Sequence, residues 1–415
     1  MVVGQFSQDV DIVVIGGGPS GYTAAFRAAE LGKTVAIVDP RGSLGGECLH
    51  SACIPSKSAQ FGSSVEDRSN TIRALANGLE QRCSSLEIER LHGTARFENK
   101  KTVQITGEVV SLVRFRKAII ACGSTMRTHP DYVGENVCQV EDVYGEFPPS
   151  GRVLVVGDTS DAVEAATFIC VTHEVTLAVG DKLLPQFDRQ LVKFVERQLS
   201  KQIAIQTRSD EDQTHFKKIV LAGQRSANTG SLGLDAAEVA YSDDGITTNG
   251  SCQTSNPKIY AVGECAGCHN SAALAIHQGR VAAEAACGLD AHLDTTVVPL
   301  VVWSNPQLAQ CGMLGDTATE AGVLHQTATT RWGQSGLAVA LGCQDGMTTI
   351  TFNPETQMLL GVGIAGRGAT ELISEGVFAL EMGATLYDLA STVRPHPTLS
   401  ELLSDTARTG LATLL

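Results

Sequence analysis

The sequence lacks an apolar run long enough to cross a bilayer and lacks an excess of basic residues. Its first apolar stretch, 12–15, is far shorter than the roughly 20 residues that a membrane helix needs. The residues before it have neither the basic region nor the long apolar region of a secretion signal. The formal net charge of -14 argues against a nucleic-acid partner. We therefore expect a cytoplasmic protein that binds neither membrane nor nucleic acid.

The sequence also lacks the setting for a structural disulfide framework, because its twelve cysteines occur without a secretion signal. Most of them are scattered, and we interpret each of these as a small buried hydrophobic residue. They are Cys83, Cys122, Cys138, Cys170, Cys252, Cys287, Cys311 and Cys343.

The segment 10–39 predicts a strand, a glycine turn, a helix and a second strand, the unit that binds a dinucleotide. Gly16 permits the tight turn, Gly18 lets backbone approach a pyrophosphate, and Gly21 lets the helix pack on the strand. The N–H groups at the helix N-terminus then face the phosphates. Asp39 ends the second strand, where an acid accepts hydrogen bonds from ribose hydroxyls. We interpret this unit as an FAD site.

Four residues separate Cys48 from Cys53, soon after that unit. This spacing is about one helical turn and can bring the two sulfurs to disulfide distance. A disulfide against a flavin can accept two electrons, or donate them as a dithiol. Lys57 and a nearby helix terminus would favour the reactive thiolate. The alternative is two unrelated buried cysteines.

The segment 45–57, Gly-Gly-Glu-Cys-Leu-His-Ser-Ala-Cys-Ile-Pro-Ser-Lys, resembles the redox motif of the flavoprotein disulfide reductases. Its Ile-Pro-Ser-Lys run is closest to the dihydrolipoamide dehydrogenase branch. The resemblance implies that Cys48 is the interchange thiol and Cys53 the flavin-contacting thiol. Glu47 departs from the family, which usually has threonine there. Glutathione reductase and mercuric reductase remain alternatives, although 411–415 lacks the paired cysteines expected of the latter.

Further segments resemble the family's FAD-contacting segments, and the resemblance implies the same role here. They are the turn 92–95 with Ala95, the strand end 118–124 with Gly123, the strand 259–264 with Glu264, and Ala272 followed by 277–280. Two of these segments depart from the pattern. Cys122 replaces a threonine, and Glu264 stands where an aspartate usually binds the ribityl chain.

Near the C-terminus, His396 and Glu401 match the family's catalytic base and the glutamate five positions after it. An imidazole near the interchange thiol can take its proton, and a carboxylate then stabilises the imidazolium. In the family this base comes from the other subunit. The resemblance therefore implies a homodimer with two-fold symmetry.

A second unit of the same type begins at Gly151, but its fingerprint is degenerate. The segment 155–162 keeps only the first glycine, and Asp158 and Asp161 put negative charge where a pyrophosphate should lie. Glu164 stands where the family has the glutamate that pairs with the flavin-side lysine, so a Lys57–Glu164 ion pair is expected. The pattern predicts FAD and leaves NAD binding open.

The predicted fold is α/β, with two Rossmann-like dinucleotide-binding domains and an α+β C-terminal dimerisation domain. The predicted parts are the first part of the FAD-binding domain at 1–148, a shortened NAD-binding-like domain at 149–228, the second part of the FAD-binding domain at 229–294, and the dimerisation domain at 295–415.

The leading hypothesis for function is a dihydrolipoyl dehydrogenase. It would oxidise protein-bound dihydrolipoamide through a Cys48–Cys53 disulfide and FAD, and pass the electrons to NAD. Its partner would be the lipoyl domain of a 2-oxoacid dehydrogenase-type complex. One alternative is a flavoprotein of the same family that uses another acceptor without nicotinamide, and a second is a non-catalytic FAD-containing subunit.

No metal site is predicted. The segment 265–269 spells the attachment pattern of a c-type haem, but it directly follows the predicted FAD strand and no export signal is present. A second dithiol at Cys265 and Cys268 stays open as an alternative.

Overall fold

A computed structural model describes residues 6–107, 111–148, 150–207, 213–267, 271–294 and 297–415. The fold is the predicted α/β class, and the chain divides into two compact units. The first unit comprises 1–127, 144–147 and 224–294, and the second comprises 128–143, 148–223 and 295–415. Among the described residues, no helix combines the length and apolar character needed to traverse a bilayer.

The strands, in chain order, are β1 Phe6–Ile15, β2 Val35–Asp39, β3 Glu89–His92, β4 Thr94–Asn99, β5 Thr102–Thr106, β6 Ser111–Ile120, β7 Ser124–Met126, β8 Val137–Gln139, β9 Arg152–Val156, β10 Glu174–Val179, β11 Ala204–Thr207, β12 Lys218–Leu221, β13 Arg225–Ala227, β14 Tyr241–Ser242, β15 Gly245–Ile246, β16 Ile259–Ala261, β17 Leu300–Val302, β18 Leu308–Gly312, β19 Gln326–Arg331, β20 Met347–Phe352 and β21 Leu359–Ala365.

The α-helices are α1 Pro19–Glu30, α2 Gly46–His50, α3 Cys53–Gln60, α4 Val65–Ser85, α5 Ser160–Ile169, α6 Arg189–Leu199, α7 Ala272–Ala286, α8 Gly315–Glu320, α9 Gly336–Ala340, α10 Ala369–Glu381, α11 Leu386–Ser391 and α12 Glu401–Ala412.

The first unit contains a Rossmann-like sheet of order β3-β2-β1-β6-β5-β4, in which β16 also pairs with β6. The strands β3, β2, β1, β6 and β16 run parallel, and β5 and β4 extend the sheet antiparallel. On the side of β6 away from β1, the first part of the strand pairs with β5 and its last three residues with β16. The apolar runs of β1 and β6 are buried because helices cover this part of the sheet.

The second unit contains two sheets. The parallel sheet has the order β11-β10-β9-β12-β8, and the antiparallel sheet has the order β17-β18-β21-β20-β19. Helices α10 and α12 contact the antiparallel sheet and enclose a core around Trp332 and Phe352, which are both fully buried. These are the second Rossmann-like domain and the α+β C-terminal domain that the sequence predicts.

The division into compact units differs in detail from the boundaries predicted from the sequence. Residues 128–143 belong to the second unit because β8 pairs with β12 at the edge of the parallel sheet. Residues 224–228 belong to the first unit, where β13 pairs with β7. Short strands such as these carry little hydrophobic pattern, so pairing and not local sequence fixes the boundary.

Candidate functional site

The glycine turn between β1 and α1 has the close approaches that a dinucleotide fingerprint requires. Gly16 has a φ of +110°, and a Cβ there would lie 2.2 Å from the carbonyl oxygen of Ala121. A Cβ at Gly21 would lie 1.9 Å from the carbonyl oxygen of Gly16. The N–H of Gly17 donates to Oδ2 of Asp39 at 2.6 Å, so turn and acid lie together.

The N-terminus of α1 fits a phosphate group. Its N-cap residue is Gly18, and no side chain caps the first turn. A Cβ at Gly18 would have only the Cα of Gly46 nearby, at 3.8 Å, so the backbone is accessible there. Exposed N–H groups at a helix N-terminus are a binding site for anions. The turn is therefore suited to a pyrophosphate.

The helix that carries the first cysteine packs directly on this turn. Gly46, the first residue of α2, has a φ of +57°, and a Cβ there would lie 2.6 Å from the Cα of Gly18. The N–H of Gly45 also donates to the carbonyl oxygen of Gly17 at 2.8 Å. Cys48 lies in α2 and Cys53 begins α3. The position of α2, and with it that of Cys48, is thus fixed relative to the turn by backbone contacts.

The structure brings the Cys48 and Cys53 side chains together. Their hydrogen bond raises the pKa of the Cys48 thiol, and burial and the charge of Cys53 raise it further. Lys57 acts in the opposite direction but is the weaker effect. Lys57 therefore favours the Cys48 thiolate, as the sequence predicts, while the hydrogen bond with Cys53 and burial act more strongly in the opposite direction.

Tyr22, on α1, is a neighbour of this pair that the sequence did not indicate. Burial raises the pKa of its hydroxyl, and the charges of Cys48 and Cys53 raise it further. The phenol therefore stays protonated beside the two sulfurs. The only signal in the sequence was its position directly after Gly21, the last glycine of the fingerprint.

An ion-pair network around Arg225 joins two of the departures from the family pattern, Glu47 and Glu264. Arg225 pairs with Glu47 through Nη2, and its Nε lies 3.5 Å from Oε2 of Glu264. The same Nε donates to Oγ of Ser124 at 2.7 Å, and Ser124 in turn donates to Glu264. The Arg225 side chain is only 9% exposed. One largely buried cation therefore bridges both unusual glutamates and balances the charge of one of them.

The remaining predicted flavin residues of the first unit lie on separate elements. Ala95 is buried in β4, and Ala272 begins α7, whose N-cap is Ser271. Gly123 follows β6 with a φ of +68° and open space where a Cβ would be. Its carbonyl oxygen accepts from the N–H of Asn228 at 3.0 Å.

In the second unit, the degenerate fingerprint keeps the tight glycine turn, but the side chains of Asp158 and Thr159 lie at the turn and the helix N-terminus. A Cβ at Gly157 would lie 2.0 Å from the carbonyl oxygen of Ala222, the counterpart of the Gly16 contact. Thr159 caps α5 by accepting from the N–H of Ala162 and donates to the carbonyl oxygen of Ala222. Oδ2 of Asp158 lies at the end of β10, 3.0 Å from where a Cβ of Gly180 would be.

Glu164 is buried in α5, and its Oε1 accepts from the backbone N–H of Trp303 at 2.9 Å. Lys57 belongs to the first compact unit and Glu164 to the second. Their ion pair stays a prediction.

The predicted base and its carboxylate form a pair between α11 and the start of α12. Nδ1 of His396 lies 2.9 Å from Oε1 of Glu401. Oε2 of Glu401 accepts from the N–H of Thr398 at 2.8 Å. These two hydrogen bonds, first that of Thr398 and then that of His396, lower the pKa of Glu401. Because Nδ1 is engaged, Nε2 is the ring nitrogen suited to proton transfer.

Cys265 lies fully buried in the turn 263–266 that follows β16. Cys268 and the rest of the haem-like pattern, His269, lie outside the described residues.

Comparison with known proteins now adds to this geometry. The family model described as "Pyridine nucleotide-disulphide oxidoreductase" matches residues 10–279, and the model of that family's dimerisation domain matches residues 298–407. The chain belongs to the pyridine nucleotide-disulphide oxidoreductase family. It is therefore an oxidoreductase, membership of the family implies FAD, and the second match supports a homodimer.

Two curated members of this family are similar along their whole length. Dihydrolipoyl dehydrogenase of Bacillus subtilis is 29% identical, covering 99% of this chain and 98% of the relative. Dihydrolipoyl dehydrogenase 2 of Haloarcula marismortui is 30% identical, covering 98% of each. A solved structure, the HOCl-induced flavoprotein disulfide reductase RclA from Escherichia coli, has a TM-score of 0.89 at 21% identity and covers 96% of this chain and 99% of that one. This likeness establishes the fold.

Proposed function

We propose that this family member is an FAD-dependent dihydrolipoyl dehydrogenase that uses Cys48 and Cys53 as its redox-active pair. The observation that carries the proposal is the contact of these two side chains on helices that pack, through Gly46, on the glycine turn. The names of the similar proteins supply the substrate class, a dihydrolipoyl group.

The residues of the first unit fit FAD. Backbone N–H groups of the turn 16–18 and of the α1 N-terminus would hold its pyrophosphate, and Asp39 its ribose. Ala95, Gly123 and Ala272 are proposed contacts on the resemblance to the family. Glu264 is the proposed ligand of the ribityl chain. When bound, FAD supplies an acceptor for one electron pair.

Thiol–disulfide exchange accounts for the chemistry of the two cysteines. A thiolate of the dihydrolipoyl group attacks Cys48 of the Cys48–Cys53 disulfide, forming a mixed disulfide and releasing Cys53 as a thiolate. The second dihydrolipoyl sulfur then displaces Cys48. The lipoyl disulfide leaves, and the cysteine pair has gained two electrons.

His396 is the proposed base that removes the substrate's thiol protons through Nε2, and Glu401 stabilises the resulting imidazolium. In the arrangement implied by the family, the base of one protomer serves the cysteine pair of the other. The lipoyl domain of a 2-oxoacid dehydrogenase-type complex is the corresponding partner.

The second candidate is a thiol flavoprotein of this family that passes its electrons to an acceptor other than NAD. Thr159 in place of the second glycine favours it, as do the carboxylates of Asp158 and Asp161 at the N-terminus of α5. Negative charge at this point disfavours a pyrophosphate.

Anaerobic titration of the purified FAD protein separates the two candidates. Bleaching of the flavin by dihydrolipoamide, with reoxidation by NAD, is the result expected of a dihydrolipoyl dehydrogenase. Bleaching by dihydrolipoamide with no response to NAD or NADH would favour the second candidate. No bleaching by dihydrolipoamide would overturn the proposal. Cys48→Ser and Cys53→Ser should each lose turnover, whereas Cys311→Ser, in the second unit, is the control.

A further inference from the structure

Arg394 lies two positions before the proposed base, and its side chain joins three helices of the C-terminal domain. The side chain is only 5% exposed. Its Nη1 lies 2.9 Å from the carbonyl oxygen of Leu389, in α11, and also contacts Oγ of Ser404, in α12. Its Nη2 pairs with Glu375, in α10. One guanidinium thus links α10, α11 and α12 at the point where the chain leaves α11.

The same guanidinium holds the backbone that leads to His396. Its Nη1 lies 3.2 Å from the carbonyl oxygen of Thr392, the residue directly after α11. Oγ of Ser404 donates to the carbonyl oxygen of Leu389 at 3.1 Å, so this group has a second donor. A positive charge is favourable at the C-terminus of a helix, where carbonyl oxygens lack N–H partners within the helix. Arg394 therefore fixes both the end of α11 and the first residues beyond it.

The segment 392–398 carries the base between two anchors. Arg394 holds its first part, and the N–H of Thr398 donates to Oε2 of Glu401 at 2.8 Å at its other end. Between these anchors the His396 side chain is 81% exposed, so packing does little to orient it. The position of the imidazole therefore depends on the backbone on either side and on its contact with Glu401.

Stability alone does not account for an arginine in this place. The net gain from a largely buried ion pair is small, because desolvation of the charges offsets their attraction. Within the part of the chain that the structure describes, Nε of Arg394 is also buried without a hydrogen-bond partner, which adds to the cost. A need for fixed backbone geometry accounts for such a group, since its planar fork reaches several partners at once.

We propose that Arg394 is a positioning residue for the base: it holds the segment 392–396 so that Nε2 of His396 is aligned with the substrate thiol. This inference rests on the proposed function of His396. Lysine is not an adequate replacement, because a single ammonium cannot reach Glu375 and two carbonyl oxygens together. Misalignment of the base slows proton transfer without weakening substrate binding.

Stopped-flow reduction of the FAD-loaded protein by dihydrolipoamide tests this role without requiring NAD. Arg394→Lys should lower the limiting rate by about 10–100-fold and leave the half-saturating concentration within about two-fold of wild type. In the His396→Gln background the same substitution should have no further effect, because the arginine acts through the imidazole. Arg152→Gln removes an exposed, ion-paired arginine of the same unit and should leave the rate unchanged. Equal losses from Arg394→Lys in both backgrounds would overturn the proposal.

Hydrogen–deuterium exchange provides a readout that does not need the reaction. In Arg394→Lys, a peptide covering 392–400 should exchange several-fold faster, because its anchored backbone is released. A peptide covering 347–365, in β20 and β21, should exchange as in wild type. Unchanged exchange at 392–400 would overturn the proposal. If dihydrolipoamide does not reduce the wild-type flavin, the proposed function fails, and the exchange data alone decide whether Arg394 holds the segment.

Glu375→Gln is the milder variant and keeps the arginine in place. It removes the acid partner, which is 33% exposed, and should change the limiting rate and the exchange in the same direction but to a smaller extent. It serves as the test if Arg394→Lys fails to fold. A wild-type rate together with wild-type exchange in Glu375→Gln would then count against the proposal.

Discussion

Arg225 forms an ion pair with Glu47, the residue directly before Cys48. The Arg225 side chain is 9% exposed and the Glu47 side chain 41%, so the arginine lies within the protein while the glutamate lies at its surface. Arg225 thus supplies a charge partner for the residue before the proposed interchange thiol, where the sequence suggested only an unusual glutamate. The pair therefore holds α2, the helix that carries Cys48, against β13.

Replacing Arg225 with glutamine should slow turnover and reduce stability. Glu47 and Glu264 would lose their shared cation, and their uncompensated negative charge would raise the pKa of Cys48 further. We expect an alkaline shift of the pH profile of thiol alkylation and a loss of about 1–3 kcal/mol in the free energy of unfolding. Glu47→Thr in the Arg225→Gln background should recover part of the shift. Identical pH profiles for wild type and Arg225→Gln would contradict this role.

Gly46→Ala should weaken FAD binding by forcing α2 away from the glycine turn. The new Cβ would lie 2.6 Å from the Cα of Gly18, at a φ of +57° that an L-residue adopts only with strain. Gly62→Ala is the matched control, because Gly62 has a φ of +86° and open space at its Cβ position. The control should cost about 1–2 kcal/mol of stability from backbone strain alone. FAD release on dilution should increase only for Gly46→Ala, and an equal increase in both variants would refute a steric origin.

The His396–Glu401 pair predicts a loss of stability in acid. The pKa of Glu401 is lowered in the folded protein. The stabilisation that the ionised carboxylate gives to the folded state is therefore complete above the ordinary glutamate pKa near 4.5, and it is lost as the pH falls through the lowered pKa. The free energy of unfolding, measured with urea, should therefore decrease less steeply for Glu401→Gln than for wild type between about pH 6 and pH 3. Glu371→Gln, near the start of α10, is the control. Parallel curves for wild type and Glu401→Gln would exclude the linkage.

His396→Gln should lower turnover with dihydrolipoamide by about 10²–10⁴-fold, the usual contribution of a general base. Glu401→Gln should have a smaller effect, because it leaves the imidazole in place but weakens the support of the imidazolium. Flavin content and the Cys48–Cys53 link should be unchanged in both variants. If turnover in His396→Gln stayed within a few-fold of wild type, another group would have to supply the proton transfer.

Removing the acids of the second fingerprint tests whether charge limits nicotinamide binding. Asp158→Asn/Asp161→Asn should tighten NADH binding, each charge contributing about 1 kcal/mol or a few-fold in affinity. Asp131→Asn, which removes a charge from a side chain that is 77% exposed in the same unit, is the control. Binding constants from fluorescence titration provide the measurement. Unchanged affinity in the double variant would leave Thr159 as the limiting departure.

Local sequence was sufficient for features that one continuous segment determines. The glycine turn at 16–21 and the cysteine spacing follow from backbone geometry within a few residues, so both could be predicted. Arg225 and Glu47 are 178 positions apart, and their contact depends on the pairing of β13 with β7. The contact of the Cys265 sulfur with the carbonyl oxygen of Ile120 likewise depends on the pairing of β16 with β6. Such contacts exist only after strands distant in sequence have paired, and no local pattern encodes them.

The shared edge of β6 has a consequence for synthesis of the chain. Its last three residues gain their parallel neighbour only when 259–261 have been made, after most of the second unit's parallel sheet has already left the ribosome. A nascent chain that stops before this point exposes a row of apolar strand residues with unpaired N–H and C=O groups. Such an edge invites aggregation, and strand pairing over long sequence separations is slow. Synthesis of the flavin-binding unit thus begins first but is completed only after the parallel sheet of the second unit has been made, and chaperone engagement should be strongest during that interval.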